Sequence, residues 1–375
     1  MRAGPSSPSV PIDMEPSCTF PKFVRLARAR QDQGELSVAR QLMELIILFP
    51  FCRVGPGFYQ MAGFWKRGIP WSEKVGHLSP LAYRKALGKL NPMPYRKLSQ
   101  NKLSEKAMFH LFRIPTPAYL GYYHALAGQD ARGNRLCTLE DFDRFLGRME
   151  NRTRICFKPL EGWAGRGFEV AEMRSQQNET VLFRMRTRSL MALDRFKAEV
   201  LEKQHEGASI IEMYLNQHPV MASLNPSSVN TMRLWVRGED SEKPRVILGY
   251  VRIGRKGSLV DNQSSGGIVA PIELESGVLR AAVDGLSRRK VYKRHPDHNA
   301  LIEGERIPFF KESLALARRA LNVFPGVGFA GADVAVSPSG PQMIEINLSP
   351  DREGAAFVGL PTKQLFGKAH MPSCT

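Results

Sequence analysis

Apolar residues recur at helical spacing across the first hundred positions of this 375-residue chain. VRLARARQDQGELSVARQLMELIILF and the segments up to about Arg96 read as short helices separated by Pro/Gly punctuation such as PFCRVGPG. No strand–helix–strand alternation occurs there, which argues against a Rossmann unit at the start. Two more helices follow: Asn101–Arg113, with apolar spacing at Leu103, Ala107, Phe109 and Leu111, and 138–150, with Thr138 as its cap. The period then changes to that of strands. RICFK (154–158), GFEVAEM (167–173), ASIIEMYL (208–215), TMRLWVRG (231–238), RVILGYVRIG (245–254), VGFAGADVAV (327–336) and PQMIEINL (341–348) are the candidates, interrupted by a long helix at about Phe309–Asn322. No repeat of fixed period is present. Hairpins follow one another, so the expected class is α+β.

With 43% hydrophobic and 24% charged residues the composition is that of a globular protein, not of a disordered chain or a coiled coil. The net charge of +17 is uneven: residues 1–110 hold 17 Lys+Arg against 7 Asp+Glu. A basic N-terminal region spanning residues 21–110 favours electrostatic contact with an anionic membrane or another polyanion, without implying specific nucleic-acid binding. The most apolar run, Leu45–Cys52, has eight residues where a bilayer needs about twenty. It reads as a buried helix end, with a membrane-surface contact as the alternative. Cys18, Cys52, Cys137, Cys156 and Cys374 form no CxxC pair and point to a reduced compartment. Together with a Pro/Ser-rich start, this gives a cytoplasmic expectation, with peripheral membrane contact as its variant.

The sharpest chemistry lies near the C-terminus. In MIEIN, Glu345 and Asn347 are two apart on a strand and share a face, while Ile344 and Ile346 are directed to the core. SPSGP is a turn sequence, and a loop centred on Ser339 sets Asp333 across from Glu345. Three hard oxygen donors suit magnesium, with manganese as a substitute; a polar edge hairpin is the alternative. FKPLEGWAGRGFEV ends a strand at Lys158 and carries Gly162, Gly165 and Gly167 in a loop whose amides can approach phosphate. It is neither a Walker loop nor a dinucleotide fingerprint, because no Gly-Lys-Ser/Thr and no helix follow. Lys102, opening NKLSEK, is a second candidate phosphate lysine or else a solvated charge. Glu212 could accept a hydrogen bond from an adenine amino group while the backbone of Met213, Tyr214 and Leu215 reads the base edge.

Arg233 and Arg252 alternate with apolar strand neighbours and suit clamping of phosphate or carboxylate; outward-facing charge is the alternative. After them, VDNQSSGGIVAP, with Asn262, Ser264, Ser265, Gly266 and Gly267, is either a connection or a loop that closes on substrate, and Asp261 is open between the two. No nucleophile triad can be argued. The histidines form no HExxH pattern, and His295 in KRHPD reads as structural.

In order, these motifs resemble the ATP-grasp superfamily over roughly residues 95–358. NK at 101–102 with its helix is similar to the first phosphate lysine of D-alanine–D-alanine ligases. VNTMRLWV, VRIG, DNQSSGG, GADV and MIEINLSPDREG resemble the ribosomal-protein glutamate ligases in order and spacing. SSVNTMRLWV…VRIG…VDNQSSGGI and HPD…IEGERIP are most similar to the sugar-transfer-associated ATP-grasp group.

The resemblance implies an ATP-grasp fold, two α+β subdomains clasping ATP. Residues 1–20 would be a leader and 21–98 a mainly helical basic region. The first subdomain with its glycine flap would span 99–207, the second with the metal site 208–360, and a tail 361–375. Lys102 and Lys158 would hold phosphates, Glu212 the adenine, and Asp333, Glu345 and Asn347 magnesium. Arg233 and Arg252, with Asn262 of the polar loop, would act on the transferred phosphoryl group. The implied chemistry is attack of a small-molecule carboxylate on the γ-phosphate of ATP, then displacement by an amine. A phosphotransferase acting on a hydroxyl, and a non-catalytic basic protein binding nucleic acid or a membrane surface, are the other readings. Two departures stand out: residues 20–100 are helical where many such ligases have an α/β domain, and NQHPVMAS after the hinge lacks a carboxylate for the ribose.

Overall fold

The computed structural model describes residues 18–162, 165–176, 179–239, 242–284 and 289–366. Most of the expected leader (1–17), Trp163 and Ala164 of the glycine loop, and residues 367–375 of the expected tail, Cys374 included, lie outside the described residues. The chain divides into two compact units, with a boundary after Leu87.

The first unit is helical: α1 (Phe20–Asp32), α2 (Val38–Cys52), α3 (Pro56–Ala62), α4 (Trp71–Val75) and most of α5 (Pro80–Leu90). Its core is aromatic, with Phe23, Phe58, Tyr59 and Phe64 buried and the Phe23 ring edge-on to Tyr59 at 5.9 Å. α2 has an unusual polarity. Its buried residues are Gln41, Glu44, Leu48 and Cys52, one side of a 3.6-residue helix. Gln41 donates to the carbonyls of Ala27 (3.2 Å) and Leu36 (2.7 Å). Glu44 accepts from Lys74 (2.6 Å), Tyr59 (2.8 Å) and Arg40 (3.0 Å). Because that network turns the polar side inward, the run Leu45–Cys52 is not the buried helix end its composition suggests. Ile46, Ile47, Phe49, Pro50 and Phe51 are exposed.

Among the described residues, those from 351 to 366 belong to this helical unit and not to the second one. Thr362 accepts from the Leu78 N–H (2.6 Å), and Arg352 lies 4.2 Å over the Phe58 ring while donating to the Leu78 carbonyl (3.0 Å).

The second unit adds α6 (Met93–Gln100), α7 (Lys102–Leu111) and two sheets. The first sheet contains β1 (Tyr119–His124), β2 (Gln129–Asp130), β3 (Arg154–Pro159), β4 (Glu169–Gln176), β5 (Glu179–Arg184), β6 (Ser189–Ala192) and β7 (Ala208–Met213), in the order β2-β1-β7-β3-β4-β5-β6. The second contains β8 (Thr231–Glu239), β9 (Glu242–Ile253), β10 (Ile268–Pro271), β11 (Ala282–Asp284), β12 (Val291–Tyr292), β13 (Phe329–Ser337) and β14 (Gly340–Asn347), in the order β12-β11-β10-β9-β8-β13-β14. All their pairings among the described residues are antiparallel, so the class is α+β. β7 joins the first sheet, between β1 and β3, so a subdomain boundary before Ala208 is displaced to beyond this strand.

Each sheet covers one apolar face with helices. α8 (Leu139–Leu146), begun by a Thr138–Asp141 capping box, packs Phe142 on Phe157 and Phe196. Helix Phe310–Leu321 buries Leu316, Ala317, Ala320 and Leu321 against the second sheet. Asn91 fixes the start of β13 by donating to the Phe329 (2.6 Å) and Leu348 (2.7 Å) carbonyls and accepting from the Gly328 and Phe329 N–H groups.

The Glu44 cluster yields a stability test. Lys74→Met leaves a buried carboxylate without its closest cation, which typically costs about 3 kcal/mol or more. Urea unfolding should show that loss. A change under about 1 kcal/mol would mean that hydrogen bonds from Tyr59 and Arg40 suffice.

Candidate active site

Register across the second sheet builds one wall of the site. Tyr250 (β9), Arg233 (β8), Asp333 (β13) and Glu345 (β14) lie directly opposite one another along a single rung. Arg252 sits two residues from Tyr250 and opposite Thr231. Arg233 grips Asp333 with two hydrogen bonds, Nε to Oδ1 and Nη2 to Oδ2, the latter 2.9 Å. Arg252 donates to the same Asp333 Oδ2 (2.7 Å), to Thr231 Oγ1 (2.9 and 3.1 Å) and to Asn262 Oδ1 (3.2 Å). Burial works against an ionised Asp333, but the two guanidiniums hold its pKa below the ordinary value. Glu345 faces Asp333 and has no such partner; burial and the Asp333 charge push its pKa up. Asp261 anchors the arrangement from behind by accepting from the Thr231 N–H (3.0 Å) and hydroxyl.

The Asp333–Glu345 pairing matches the sequence reading, by a different route. The turn is two residues long, because Ser337 pairs with Gly340, and a bulge on β14 restores the register by Glu345. That bulge corrects the expectation for Ile344. Met343 and Ile346 enter the core, whereas Ile344 is only partly buried and lines the cavity beside Glu345.

The opposite wall comes from α7 and the first sheet. Asn101 caps α7, accepting from the Ser104 N–H (3.0 Å), and the Lys102 N–H donates to the Leu160 carbonyl (3.0 Å), tying the helix start to the glycine loop. The buried residues of α7 are Glu105, Lys106 and Phe109; the expected stripe fails, with Ala107 and Leu111 exposed. Lys106 and Lys158 both hold the buried Glu212 carboxylate. Lys106 also donates to Thr116 Oγ1 and to the Pro117 carbonyl (3.0 Å). Burial opposes charge on Lys158, yet Glu212 raises its pKa; for Lys106 burial prevails and lowers it. One carboxylate cannot fully compensate two buried ammoniums. Burial raises and the two lysines lower the Glu212 pKa, with a net decrease. Glu105 accepts from the Ile346 N–H (2.7 Å), and burial with the nearby Glu345 charge pushes its pKa up to about 8.

Between these walls is a cavity of about 140 Å³. Lys102, Lys158, Gly162, Gly165, Glu212, Met213, Tyr214, Leu215, Arg252, Asn262 and Glu345 line it. Arg233 and Asp333 stand behind that lining, so Arg233 reaches the site through Asp333 and not by the direct contact its sequence suggests. Asn347 is not on the cavity wall either, and its Oδ1 accepts from the Ser349 N–H (2.8 Å). At the hinge, the Met213 and Tyr214 N–H groups donate to the Ala118 (2.9 Å) and Arg154 (3.0 Å) carbonyls. Glu212 is likewise engaged, by lysines and not set aside for a base.

The glycine loop closes the cavity. Gly165 has φ +69°, and a Cβ there would stand 2.6 Å from Asn262 Nδ2. Gly167, outside the lining, has φ +75°, and its carbonyl accepts from His205 Nε2 (2.6 Å) and Gln204 Nε2 (3.0 Å). Both side chains come from the end of a π-helical turn, Lys197–Gln204, and the residue after it. His205, Lys106 and Glu105 escaped the sequence reading: NKLSEK looks like a solvated helix start, and nothing marks one histidine as a latch.

A family model described as sugar-transfer associated ATP-grasp matches residues 84–363. The chain belongs to this family. Solved structures also match most of its length, at low similarity. An N5-carboxyaminoimidazole synthase from Aspergillus clavatus, in complex with ADP and 5-aminoimidazole ribonucleotide, is 12% identical over 74% of this chain and 55% of its own, with a TM-score of 0.37. An L-amino acid ligase from Bacillus licheniformis is 10% identical over 72% and 48%, with a TM-score of 0.37. The ATP-grasp ligase PsnB, complexed with a precursor variant, Mg and ADP, is 12% identical over 76% and 61%, with a TM-score of 0.38. The chain thus spans about half the length of the first solved structures it matches. No curated protein matches it.

Two measurements follow for this ATP-grasp site. Because Glu105 binds its proton more tightly folded than unfolded, it stabilises the fold at low pH and loses that contribution as pH rises through about 8. Unfolding free energy without magnesium should therefore fall between about pH 4.5 and about pH 8, and Glu105→Gln should flatten the fall. An unchanged slope would place the titration elsewhere. His205→Ala removes one latch bond, worth about 1–1.5 kcal/mol, so amide exchange in residues 165–168 should quicken about tenfold; unaltered exchange would show that Gln204 alone holds the loop.

Proposed function

We propose that the chain is an ATP- and magnesium-dependent ligase that joins a small-molecule carboxylate to an amine through an acyl-phosphate. The observation that carries this reading is a cavity rich in cations and poor in nucleophiles. Five cations line it, Lys102, Lys106, Lys158, Arg166 and Arg252, against four carboxylates, of which Glu105 has its pKa pushed up to about 8, and the resulting excess of positive charge suits a polyphosphate. By contrast, burial pushes the Cys156 thiol up to about 12 and the Tyr214 hydroxyl up to about 12, and the Thr231 hydroxyl is bound to Asp261. These groups are neutral at pH 7, so covalent catalysis by the chain has little to work with.

In this reading a substrate carboxylate oxygen attacks the γ-phosphorus, the bond from that phosphorus to the β,γ-bridging oxygen breaks, and ADP leaves. The amine then attacks the acyl carbon, phosphate departs, and a proton is lost from nitrogen. Lys102 and Lys158 orient the phosphates, and Arg252 meets the charge on the transferred group. Asn262, hydrogen-bonded to Arg252 and set against Gly165, couples that arginine to the closed glycine loop. Burial also lowers the Lys102 pKa, and an arriving phosphate would raise it again.

The donor set fits magnesium at one point. Two facing carboxylates, one with a raised pKa, are relieved by a cation, and Glu345 on the cavity wall with Asp333 behind it would hold it, whereas Asn347 would first have to give up its bond from the Ser349 N–H. When bound, the metal neutralises phosphate charge. A cavity of about 140 Å³ is smaller than the roughly 300–1,000 Å³ of ordinary ligand pockets, so nucleotide entry requires the glycine loop to lift.

The test is ADP and phosphate release over a panel of amino acids, sugar acids and amines, with magnesium present. Free phosphate together with an amide supports the ligase. A stable phosphorylated hydroxyl acceptor would replace it with a phosphotransferase, and nucleotide binding without any turnover would leave a binding protein. Glu345→Gln should cut turnover on the order of 100-fold or more with an unchanged melting temperature. Lys158→Met should weaken ATP binding about tenfold or more by calorimetry.

A further inference from the structure

We propose that α2 is an interfacial helix that docks the first unit onto an anionic lipid surface. The inference is independent of the catalytic reading. Among the exposed residues of α2, Met43, Ile46, Ile47, Pro50 and Phe51 are spaced i, i+3, i+4, i+7 and i+8, which is one continuous helical face, with Phe49 exposed beside it. Ile46 is 72% exposed and Phe51 81% exposed. A surface helix normally turns its polar side out. Here the polar residues Gln41 and Glu44 are buried in hydrogen-bonded contacts, so the orientation is fixed and the apolar face cannot rotate inward without uncoupling a buried carboxylate.

The charges around this strip select the occupant. Its flanking cations are Arg40 at one end, with its side chain 52% exposed, and Arg53 at the other, whose guanidinium lies 5.5 Å over the Phe49 ring. The helix carries one acidic residue, Glu44, and that residue is turned inward. An apolar strip with a cation at each end and no outward acid matches the acyl-chain boundary beneath negatively charged headgroups, where arginines extend to the phosphate level. A second copy of the chain is a poorer match. Isologous pairing of two such strips brings arginine against arginine on molecules that each carry a net +17. α2 is also not half of a membrane crossing. Although α2 and α3 together are long and apolar enough, they meet at a bend of 108°, and Gly57–Ala62 of α3 are buried in the protein core. At 15 residues, about 22 Å, α2 instead lies along the surface.

The experiment is flotation of the full chain with vesicles of phosphatidylcholine alone and of phosphatidylcholine with phosphatidylserine. Binding should need phosphatidylserine, weaken with salt, and drop about tenfold in Ile46→Glu and in Phe51→Glu. Both positions are exposed, so circular dichroism and lipid-free nucleotide binding should match wild type, which separates lost docking from lost folding. Failure to float with either vesicle at low salt overturns the proposal. So does binding that both variants retain. A dimer that light scattering resolves and that Ile46→Glu converts to monomer would assign the face to a second copy and equally overturn it. None of these outcomes depends on turnover, so the docking and the ligase reading can fail separately.

Discussion

Two carboxylates facing each other across one strand pair, Asp333 buried and Glu345 partly buried at the cavity wall, set the conditions for the rest of the second unit. Asp333 and Glu345 share a rung of the sheet, and burial without compensation would drive both to the neutral form. The sheet resolves this asymmetrically. Arg233 and Arg252 hold one carboxylate ionised, and the other is left with a raised pKa at the cavity wall. Glu345 is therefore the group whose charge a cation or a proton decides. Arg252 in turn is restrained by Thr231, Asp261 and Asn262.

Much of this could be read from the residues themselves. The i, i+2 spacing in MIEIN and the turn in SPSGP were enough to pair Asp333 with Glu345. They could not reveal that a bulge produces the pairing, because a bulge shifts register without any obligatory glycine here. Ile344 went to the wrong side for that reason. The strands survived as strands because alternation is local information. The assignment of β7 to the first sheet is not local: it depends on pairing with β1 and β3, about 90 and 50 residues away in sequence.

Charged helices were the weakest point of pattern reading, and in both units for one cause. Helical periodicity assumes that polar residues face water. On α7, Glu105 and Lys106 are buried because each has a partner, a backbone N–H for the first and Glu212 for the second. On α2, Gln41 and Glu44 are buried for the same reason, and the apolar residues are displaced outward. A buried polar group with its hydrogen bonds complete overrides the apolar stripe, and only distant residues such as Lys74, Tyr59 and Glu212 supply those bonds.

α7 also connects the two walls of the site. Its Lys102 N–H and Nζ hold the Leu160 and Gly162 carbonyls at the start of the glycine loop, its Lys106 holds Glu212 in the first sheet, and its Glu105 holds the Ile346 N–H in the second. Ile346 follows Glu345, so the backbone that aims Glu345 is tethered to the helix that carries Lys102. Lifting the glycine loop requires the Lys102 Nζ bond to Gly162 and the His205 bond to Gly167 to break. Phosphate oxygens arriving at Lys102 would replace the first of these bonds without leaving the ammonium unpaired. The remaining tethers of the loop end, His205 and Gln204 on the Gly167 carbonyl and Arg186 on that of Phe168, lie apart from Lys102.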